Sequence, residues 1–163
     1  MTSDLSKIKN IRSKKKFTIS LAESCTGGMI SKYLTSINGS SLFFNGSCIS
    51  YSKQMKIKLL KVPKNTIINH GAVSHQTALA MVKGLKKITG SEILLSVTGV
   101  AGPSGGTART PVGCVFFGIG SKINKKYTFQ TTKKIFREKT RLAIQKKSTE
   151  HAVHLILKEL KKI

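Results

Sequence analysis

The segment 17–37 constrains the fold most, because an apolar run leads into a glycine-containing turn and then into an amphipathic stretch. Residues 17–21 (FTISL) are apolar or β-branched except for Ser20, residues 22–28 (AESCTGG) are small or hydroxylated except for Glu23, and residues 29–37 have helical apolar spacing. This order predicts a strand, a tight turn and a helix. Open α/β sheets carry functional side chains at the carboxyl ends of their strands, which is where this pattern places Ser24 and Cys25.

Two interpretations of this turn remain open from the motif itself. The first N–H groups of the helix lack intrahelical partners and lie at the positive end of its dipole, so they would stabilise an oxyanion beside Ser24 or Cys25. Alternatively, Ser24 and Thr26 only cap the helix, and the glycines relieve crowding. An isolated motif of this kind favours the capping role, so the other segments of the sequence must decide between the two interpretations.

Apolar runs alternate with helical patterns along the whole chain. Strands are predicted at 17–21, 42–51, 93–98, 112–119 and 127–132, helices at 5–13, 28–37, 54–60, after a Ser74 cap and at 137–161, and a strand-like segment at 71–73. Asn45-Gly46 predicts a bulge or turn. The pattern predicts an α/β fold, a single-domain three-layer α/β/α sandwich with a mixed sheet. We expect residues 1–16 to form a basic helix or arm, and residues 17–163 to form the core.

The net charge of +23 does not by itself identify a nucleic-acid partner. The chain has 25 Lys and 4 Arg, and the lysines are scattered over nearly every predicted element. Specific recognition favours Arg, and no aromatic residues are interleaved for base stacking, so we expect only nonspecific polyanion binding. Arg109, Arg137 and Arg141 lie in or beside predicted loops, as a phosphate-binding site would require.

The remaining composition excludes several classes of chemistry. One Asp and five Glu are too few for paired-carboxylate or Asp-held Mg²⁺ catalysis, and His151 and His154 have no evident third ligand, so we expect no metal and no cofactor. The class of chemistry that remains is nucleophilic catalysis by a Ser, Thr or Cys that Lys, Tyr or His activates. Three widely spaced cysteines and the lack of an apolar span or signal peptide indicate a cytoplasmic protein without membrane association.

Two further loops carry candidate chemistry. Residues 98–107 (TGVAGPSGGT) follow a predicted strand, and their four glycines permit close approach of a ligand, although a plain flexible loop has the same composition. Residues 51–56 (YSKQMK) end another strand. There Tyr51 and Lys56 are bases that a serine could use if Lys56 is desolvated, whereas chance placement is the alternative in so lysine-rich a chain.

These segments, together with 70–74 (HGAVS) and 111–113 (PVG), resemble the CinA C-terminal domain family of competence/damage-inducible proteins. Standalone members of that family are nicotinamide-nucleotide amidohydrolases. The resemblance implies a metal-free hydrolysis of nicotinamide mononucleotide to nicotinate mononucleotide and ammonia, and a homodimer. In longer relatives this domain follows a molybdopterin-binding-like domain, which we expect this chain to lack.

The resemblance also implies roles for individual residues. Ser24 matches the nucleophile, Lys56 the general base and Tyr51 a hydroxyl that relays the proton. Backbone amides near 25–27 would hold the oxyanion, Arg137 or Arg141 the 5′-phosphate, and loop 102–107 the ribose or ring. The implied substrate-binding set is Cys25, Thr26, Gly27, Thr98, Gly102, Gly105, Gly106, Thr107, Arg137 and Arg141.

The chain departs from the family pattern at three places. Lys53 replaces an Asn, Thr110 replaces a Lys, and Ile135-Phe136 replace Gly-Asp. We expect Arg109 to supply the charge missing at position 110. Two rival functions are a cysteine-dependent amidase that uses Cys25, and a catalytically degenerate nucleotide-binding or competence/DNA-associated accessory protein.

Overall fold

A single mixed sheet forms the centre of the computed structural model, which describes residues 2–163. Its strands are β1 Ile19–Glu23, β2 Phe44–Ile49, β3 Ile93–Gly99, β4 Cys114–Ile123 and β5 Lys126–Ile135, in the order β2-β1-β3-β4-β5. β1 is parallel to β2 and β3, whereas β3, β4 and β5 are successively antiparallel. The mixed sheet with a hairpin near the end confirms the prediction.

Helices cover both faces of the sheet. They are α1 Thr2–Lys14, α2 Met29–Thr35, α3 Lys53–Leu60, α4 Lys64–His70, α5 His75–Thr89 and α6 Arg141–Leu160. One apolar cluster joins α1, α2 and α6 to the sheet, and a second joins α3, α4 and α5 to it, so the three-layer α/β/α sandwich is confirmed. Within residues 2–163, no helix has the length and apolar character needed to cross a membrane.

The strand β1 is held rigidly in the sheet because it is buried on both faces. Ile19 and Leu21 pack into the first cluster and Ala22 into the second, and all three are fully buried. A parallel strand covered on both faces is apolar throughout, and each large side chain buried there contributes roughly 1.5–3 kcal/mol. Because β1, β2 and β3 are parallel, the residues that follow them meet at one edge of the sheet.

Several predicted boundaries are wrong, for identifiable local reasons. β1 runs two residues further along the chain, to Glu23, because Ser50 N donates to Glu23 O and extends the pairing. A short 3-10 helix, Ser40–Leu42, precedes β2. α6 begins at Arg141 and not at Arg137, because the Thr140 side chain accepts a hydrogen bond from Ala143 N and caps the helix there.

The region 61–74 differs most from the sequence-based prediction. α4 was not predicted, because it has only seven residues and directly follows Pro63. Segment 71–73 is a bend and not a strand, since Gly71 ends α4 with a φ of 79°. The predicted Ser74 cap is confirmed, because its hydroxyl accepts from Thr77 N at the start of α5.

Two other local predictions can be compared with the structure. Between the pairs Ile19–Phe44 and Ser20–Gly46, the register shifts by one residue, so Asn45 is a bulge in β2. The basic amino-terminal segment forms α1, whose Leu5 and Ile8 are buried in the same cluster as the sheet. α1 therefore packs onto the core.

Candidate active site

A cavity of about 250 Å³ lies at the carboxyl edge of the three parallel strands. Its walls come from the turn after β1, the end of β2, the first turn of α3, the bend before α5, the loop after β3 and the start of α6. The lining residues are Ser24, Cys25, Tyr51, Lys56, Ala72, Val73, Thr98, Gly99, Val100, Ala101, Gly102, Ser104, Gly105 and Arg141. The segments singled out from the sequence therefore meet in one place.

A serine and a lysine form the chemical centre of this cavity. Lys56 Nζ lies 2.7 Å from Ser24 Oγ and also contacts Ser50 O at 2.8 Å and Tyr51 O at 3.2 Å. Lys56 reaches these atoms because Ser52 caps α3, accepting from Met55 N, and so starts the helix immediately after the strand end. Lys56 is only 2% exposed, so its amine is removed from water.

Burial changes the protonation of this amine. Desolvation lowers the pKa of Lys56 from 10.5 to about 8, because no carboxylate compensates its charge in the cavity. The ammonium form donates to all three oxygens. The neutral amine has two N–H groups, which suit the two carbonyls, and one lone pair, which can accept the Ser24 hydroxyl proton. The geometry thus suits a general base that works near pH 8.

The turn that carries Ser24 is fixed by a buried carboxylate, Glu23. Its Oε2 accepts from Thr26 Oγ1 at 2.6 Å, from Gly28 N at 3.0 Å and from Ile30 N at 3.2 Å, and its Oε1 accepts from Ser31 N at 2.9 Å. Glu23 is fully buried. The carboxylate therefore neutralises the amino-terminal end of α2.

Glu23 restricts which amides can stabilise an oxyanion. The first amides of α2 are already bonded to the carboxylate, and Gly27 N donates to Ser24 O at 3.0 Å. The amides of Cys25 and Thr26, next to Ser24 in the same turn, are the donors left for this role. Of the three backbone amides at 25–27 that the resemblance implies for the oxyanion, that of Gly27 is therefore already occupied.

Cys25 is less suited to be a nucleophile than its neighbour. Its side chain is 5% exposed and packs into the first apolar cluster. Burial raises the pKa of the Cys25 thiol to about 12, so it is protonated at neutral pH. Its carbonyl accepts from Gln145 Nε2 at 2.8 Å, which ties the turn to α6.

Arg141 connects three walls of the cavity. Its Nη2 donates to the Tyr51 hydroxyl at 2.6 Å, and its Nη1 donates to Gly102 O at 2.9 Å. The Tyr51 hydroxyl therefore contacts Arg141, whereas the Tyr51 carbonyl contacts Lys56. In this arrangement the Tyr51 hydroxyl makes no hydrogen bond to Ser24 or Lys56 through which it could relay a proton.

The other substrate-binding residues implied by the resemblance fall into two groups. Thr98, Gly102 and Gly105 line the cavity, and Thr98 Oγ1 donates to Ala72 O at 2.8 Å. The remaining five, which include Arg137, lie elsewhere: Thr26 and Gly27 are within the turn, and Gly106 and Thr107 are further along the loop. Arg137 is exposed in the segment between β5 and α6, outside the cavity lining.

Sequence reasoning missed residues whose roles depend on tertiary contacts. Gln145 lies one turn after Arg141 on α6 and reaches the turn after β1 across 120 positions of sequence. Glu23 had a detectable signal, since it is one of only six acidic residues and stands just before a helix, where a carboxylate is favourable.

The fold and the site define a three-layer α/β protein with a buried serine–lysine pair at the carboxyl edge of parallel strands. The family model of the CinA C-terminal domain matches residues 3–160. The chain belongs to the CinA C-terminal domain family, which confirms the resemblance seen in the sequence.

Relatives and solved structures agree with this assignment. A CinA-like protein from Geotalea uraniireducens is 48% identical over 116 residues, covering 69% of this chain and 28% of that protein. A putative competence-damage inducible protein from Halothermothrix orenii is 43% identical over 154 residues, covering 94% of this chain and 36% of that protein. The chain thus spans about a third of the length of these relatives. The competence/damage inducible protein CihA from Agrobacterium tumefaciens superposes with a TM-score of 0.91 and 30% identity, covering 98% and 94% of the two chains.

Proposed function

We propose that this protein is an amidohydrolase that converts nicotinamide mononucleotide to nicotinate mononucleotide and ammonia. The observation that carries the proposal is the buried Lys56 amine 2.7 Å from Ser24 Oγ, in a cavity at the carboxyl edge of the sheet. The substrate itself comes from the family resemblance. No three His, Cys, Asp or Glu side chains are grouped to hold a metal within residues 2–163, and the proposed chemistry uses only the protein's own side chains.

Acylation would begin with the neutral amine of Lys56. As Ser24 Oγ bonds to the amide carbon, its proton passes to Lys56 Nζ and the carbonyl electron pair moves onto oxygen. The amides of Cys25 and Thr26 would stabilise that oxyanion. Collapse of the intermediate breaks the C–N bond, and the Lys56 ammonium returns its proton to the leaving nitrogen. Ammonia departs and an ester on Ser24 remains.

Deacylation repeats these steps with water as the nucleophile. Lys56 accepts a proton from the water as its oxygen bonds to the ester carbon, and then protonates Ser24 Oγ as that bond breaks. The nicotinate product leaves, and the enzyme is restored. Thr98 and Arg141 line the same cavity and would orient the substrate beside the pair.

Ammonia release from nicotinamide mononucleotide, measured with a chelator present, tests the proposal. Wild type should turn over, Ser24→Ala should lose about a thousandfold or more, and Lys56→Ala about 10²–10⁴-fold. Lys58→Ala is the matched control, because Lys58 is an exposed lysine on the same helix. Equal activity of Ser24→Ala and wild type would refute the mechanism.

The same experiment separates the rival functions. A cysteine-dependent amidase would lose activity in Cys25→Ala and keep it in Ser24→Ala, whereas the buried, protonated thiol of Cys25 leads us to expect less than a tenfold loss. An accessory protein would bind the nucleotide without releasing ammonia. We also propose a cytoplasmic homodimer with nonspecific polyanion affinity; the three free thiols support the reducing compartment.

A further inference from the structure

The segment that carries Ser24 is a β-turn with one peptide at its centre. Gly27 N donates to Ser24 O at 3.0 Å, which closes the four-residue turn Ser24–Gly27. The peptide between Cys25 and Thr26 lies in the middle of this turn and takes no part in the closing hydrogen bond. Such a central peptide can face either of two ways, because β-turns of types I and II differ by its rotation through about half a turn. Its orientation decides where its N–H points.

A hydrogen bond from α6 fixes the carbonyl of this peptide. Gln145 Nε2 donates to Cys25 O at 2.8 Å. Because the C=O and N–H of a trans peptide point in opposite directions, a carbonyl held by Gln145 turns the Thr26 N–H away from that side chain. Thr26 is only 2% exposed, and within residues 2–163 its N–H donates to no protein acceptor. A buried N–H without an acceptor is rare, and this one is among the two donors proposed for the oxyanion.

The backbone of Thr26 favours the same orientation of the peptide. The φ of Thr26 is negative, as in a type I turn. The flipped, type II arrangement needs a positive φ at this position, which glycine adopts readily and a β-branched residue does not. Thr26 therefore opposes the flipped turn, and Gln145 adds a hydrogen bond that only the unflipped turn can make.

The hydrogen bond from Gln145 also strengthens the donor at the other end of the peptide. A carbonyl that accepts a hydrogen bond is polarised, and its peptide N–H then becomes a better donor, because hydrogen bonds in a chain reinforce one another. This reinforcement grows when the acceptor of the Thr26 N–H carries a full negative charge, as an oxyanion does. The contribution of Gln145 is therefore larger in the transition state than in the substrate complex, and it belongs in kcat.

The helix α6 holds the Gln145 side chain in place. Ile144, the preceding residue, is 1% exposed and packs into the first apolar cluster. Arg141 lies one turn earlier on the same side of the helix and donates to groups on two other walls of the cavity. The donor to Cys25 O is thus carried by an anchored helix and not by a loop.

We propose that Gln145 is a positioning residue for the Thr26 N–H as an oxyanion donor, and that it acts through its hydrogen bond to Cys25 O. The assignment rests on the proposed amidase function. It adds to that function a residue that lies outside the cavity lining and 120 positions from the turn along the chain.

Ammonia release from nicotinamide mononucleotide at about pH 9.5, where most Lys56 side chains are neutral, tests the assignment. Gln145→Met removes the donor and keeps an unbranched side chain of similar length. It should lower kcat about ten- to thirtyfold and leave KM within about threefold, whereas outright loss of an oxyanion donor costs about 10²–10³ in kcat. Gln145→Lys can donate to the same carbonyl and should stay within about threefold of wild type. Gln130→Met, at an exposed glutamine on β5, is the matched control.

Three kinetic outcomes would overturn the assignment. One is a kcat of Gln145→Met within about threefold of that of Gln130→Met. Another is an equal loss in Gln145→Met and Gln145→Lys, because the loss would then follow from packing and not from the hydrogen bond. The third is an apparent pKa of the rate profile that differs between Gln145→Met and wild type, since the substitution would then act through Lys56.

Amide NMR separates failure of this assignment from failure of the amidase proposal, because it needs no turnover. If wild type releases no ammonia, the amidase proposal fails, and the role of Gln145 is judged by the Thr26 and Gly27 amide signals. Exchange broadening of these signals in Gln145→Met and not in Gln130→Met, measured by relaxation dispersion, would support a peptide held by Gln145. Signals equally sharp in both variants would refute it.

Discussion

At the scale of single residues, Lys56 has an environment unlike that of the other lysines. Of the 25 lysines, all within the described residues 2–163, Lys56 alone is buried. From composition alone, the high lysine content favours the interpretation that a lysine stands at position 56 by chance. Burial against Ser24 and two carbonyls argues against chance, because an amine desolvated without a carboxylate partner destabilises the fold.

The pH dependence of catalysis follows from this amine. Because a lysine acts as a base only when neutral, the proposed role of Lys56 predicts that kcat/KM rises with pH along a limb of apparent pKa about 8 and levels off above it. Initial rates of ammonia release between pH 6 and 10 would show this limb in wild type and in Lys58→Ala. A rate that is flat from pH 6 to 10 would contradict Lys56 as the base.

The lowered pKa of Lys56 also makes the stability of the folded protein depend on pH. Between pH 8 and 10.5 the unfolded chain binds a proton at Lys56 that the native protein has released, so native stability rises with pH in this window. Relative to Lys56→Met, the free energy of unfolding of wild type should therefore increase by about 3 kcal/mol from pH 7 to pH 10.5. Urea unfolding at the two pH values measures this, with Lys58→Met as control. A constant difference would refute the assigned shift.

At the scale of elements, α2 depends on Glu23 for its start. Its N-cap position is Gly28, which has no side chain to accept the first amides, and the buried carboxylate of Glu23 replaces a local cap. Glu23→Gln keeps the shape but turns one acceptor oxygen into a donor that faces other donors. We expect it to lower the free energy of unfolding by about 1–3 kcal/mol.

Denaturant unfolding of Glu23→Gln beside Glu150→Gln would test this role. Glu150 forms an exposed pair with Lys147, so its substitution should cost less than about 1 kcal/mol. A Glu23→Gln protein as stable as Glu150→Gln would show that the carboxylate does not hold the turn. A retained fold with reduced kcat would indicate that Glu23 also positions Ser24.

The elements that the sequence predicts well are those with a strong local pattern. All five strands, the Ser74 cap and the Asn45 bulge are local features, and the structure contains each of them. α4 and the bend at 71–73 were missed because a seven-residue helix after Pro63 has too little periodicity to detect. The Arg141 contacts to Tyr51 and Gly102 join residues 90 and 39 positions apart, and no local pattern encodes such contacts.

At the scale of the whole molecule, the charge of +23 predicts polyanion binding that is separate from the cavity that contains Ser24. Lysines scattered over the surface attract phosphates by releasing counterions, without reading base sequence. Binding of two unrelated DNA duplexes should therefore be equally tight at low salt, and should weaken about a hundredfold or more between about 50 and 200 mM salt. Fluorescence anisotropy measures both quantities.

This measurement also decides between the amidase and an accessory role for the basic surface. If the surface is a by-product of composition, DNA added at about 150 mM salt should leave ammonia release unchanged, because screening at that salt removes most of the attraction. A preference of more than about tenfold for one duplex, retained in Ser24→Ala, would instead favour a DNA-associated protein.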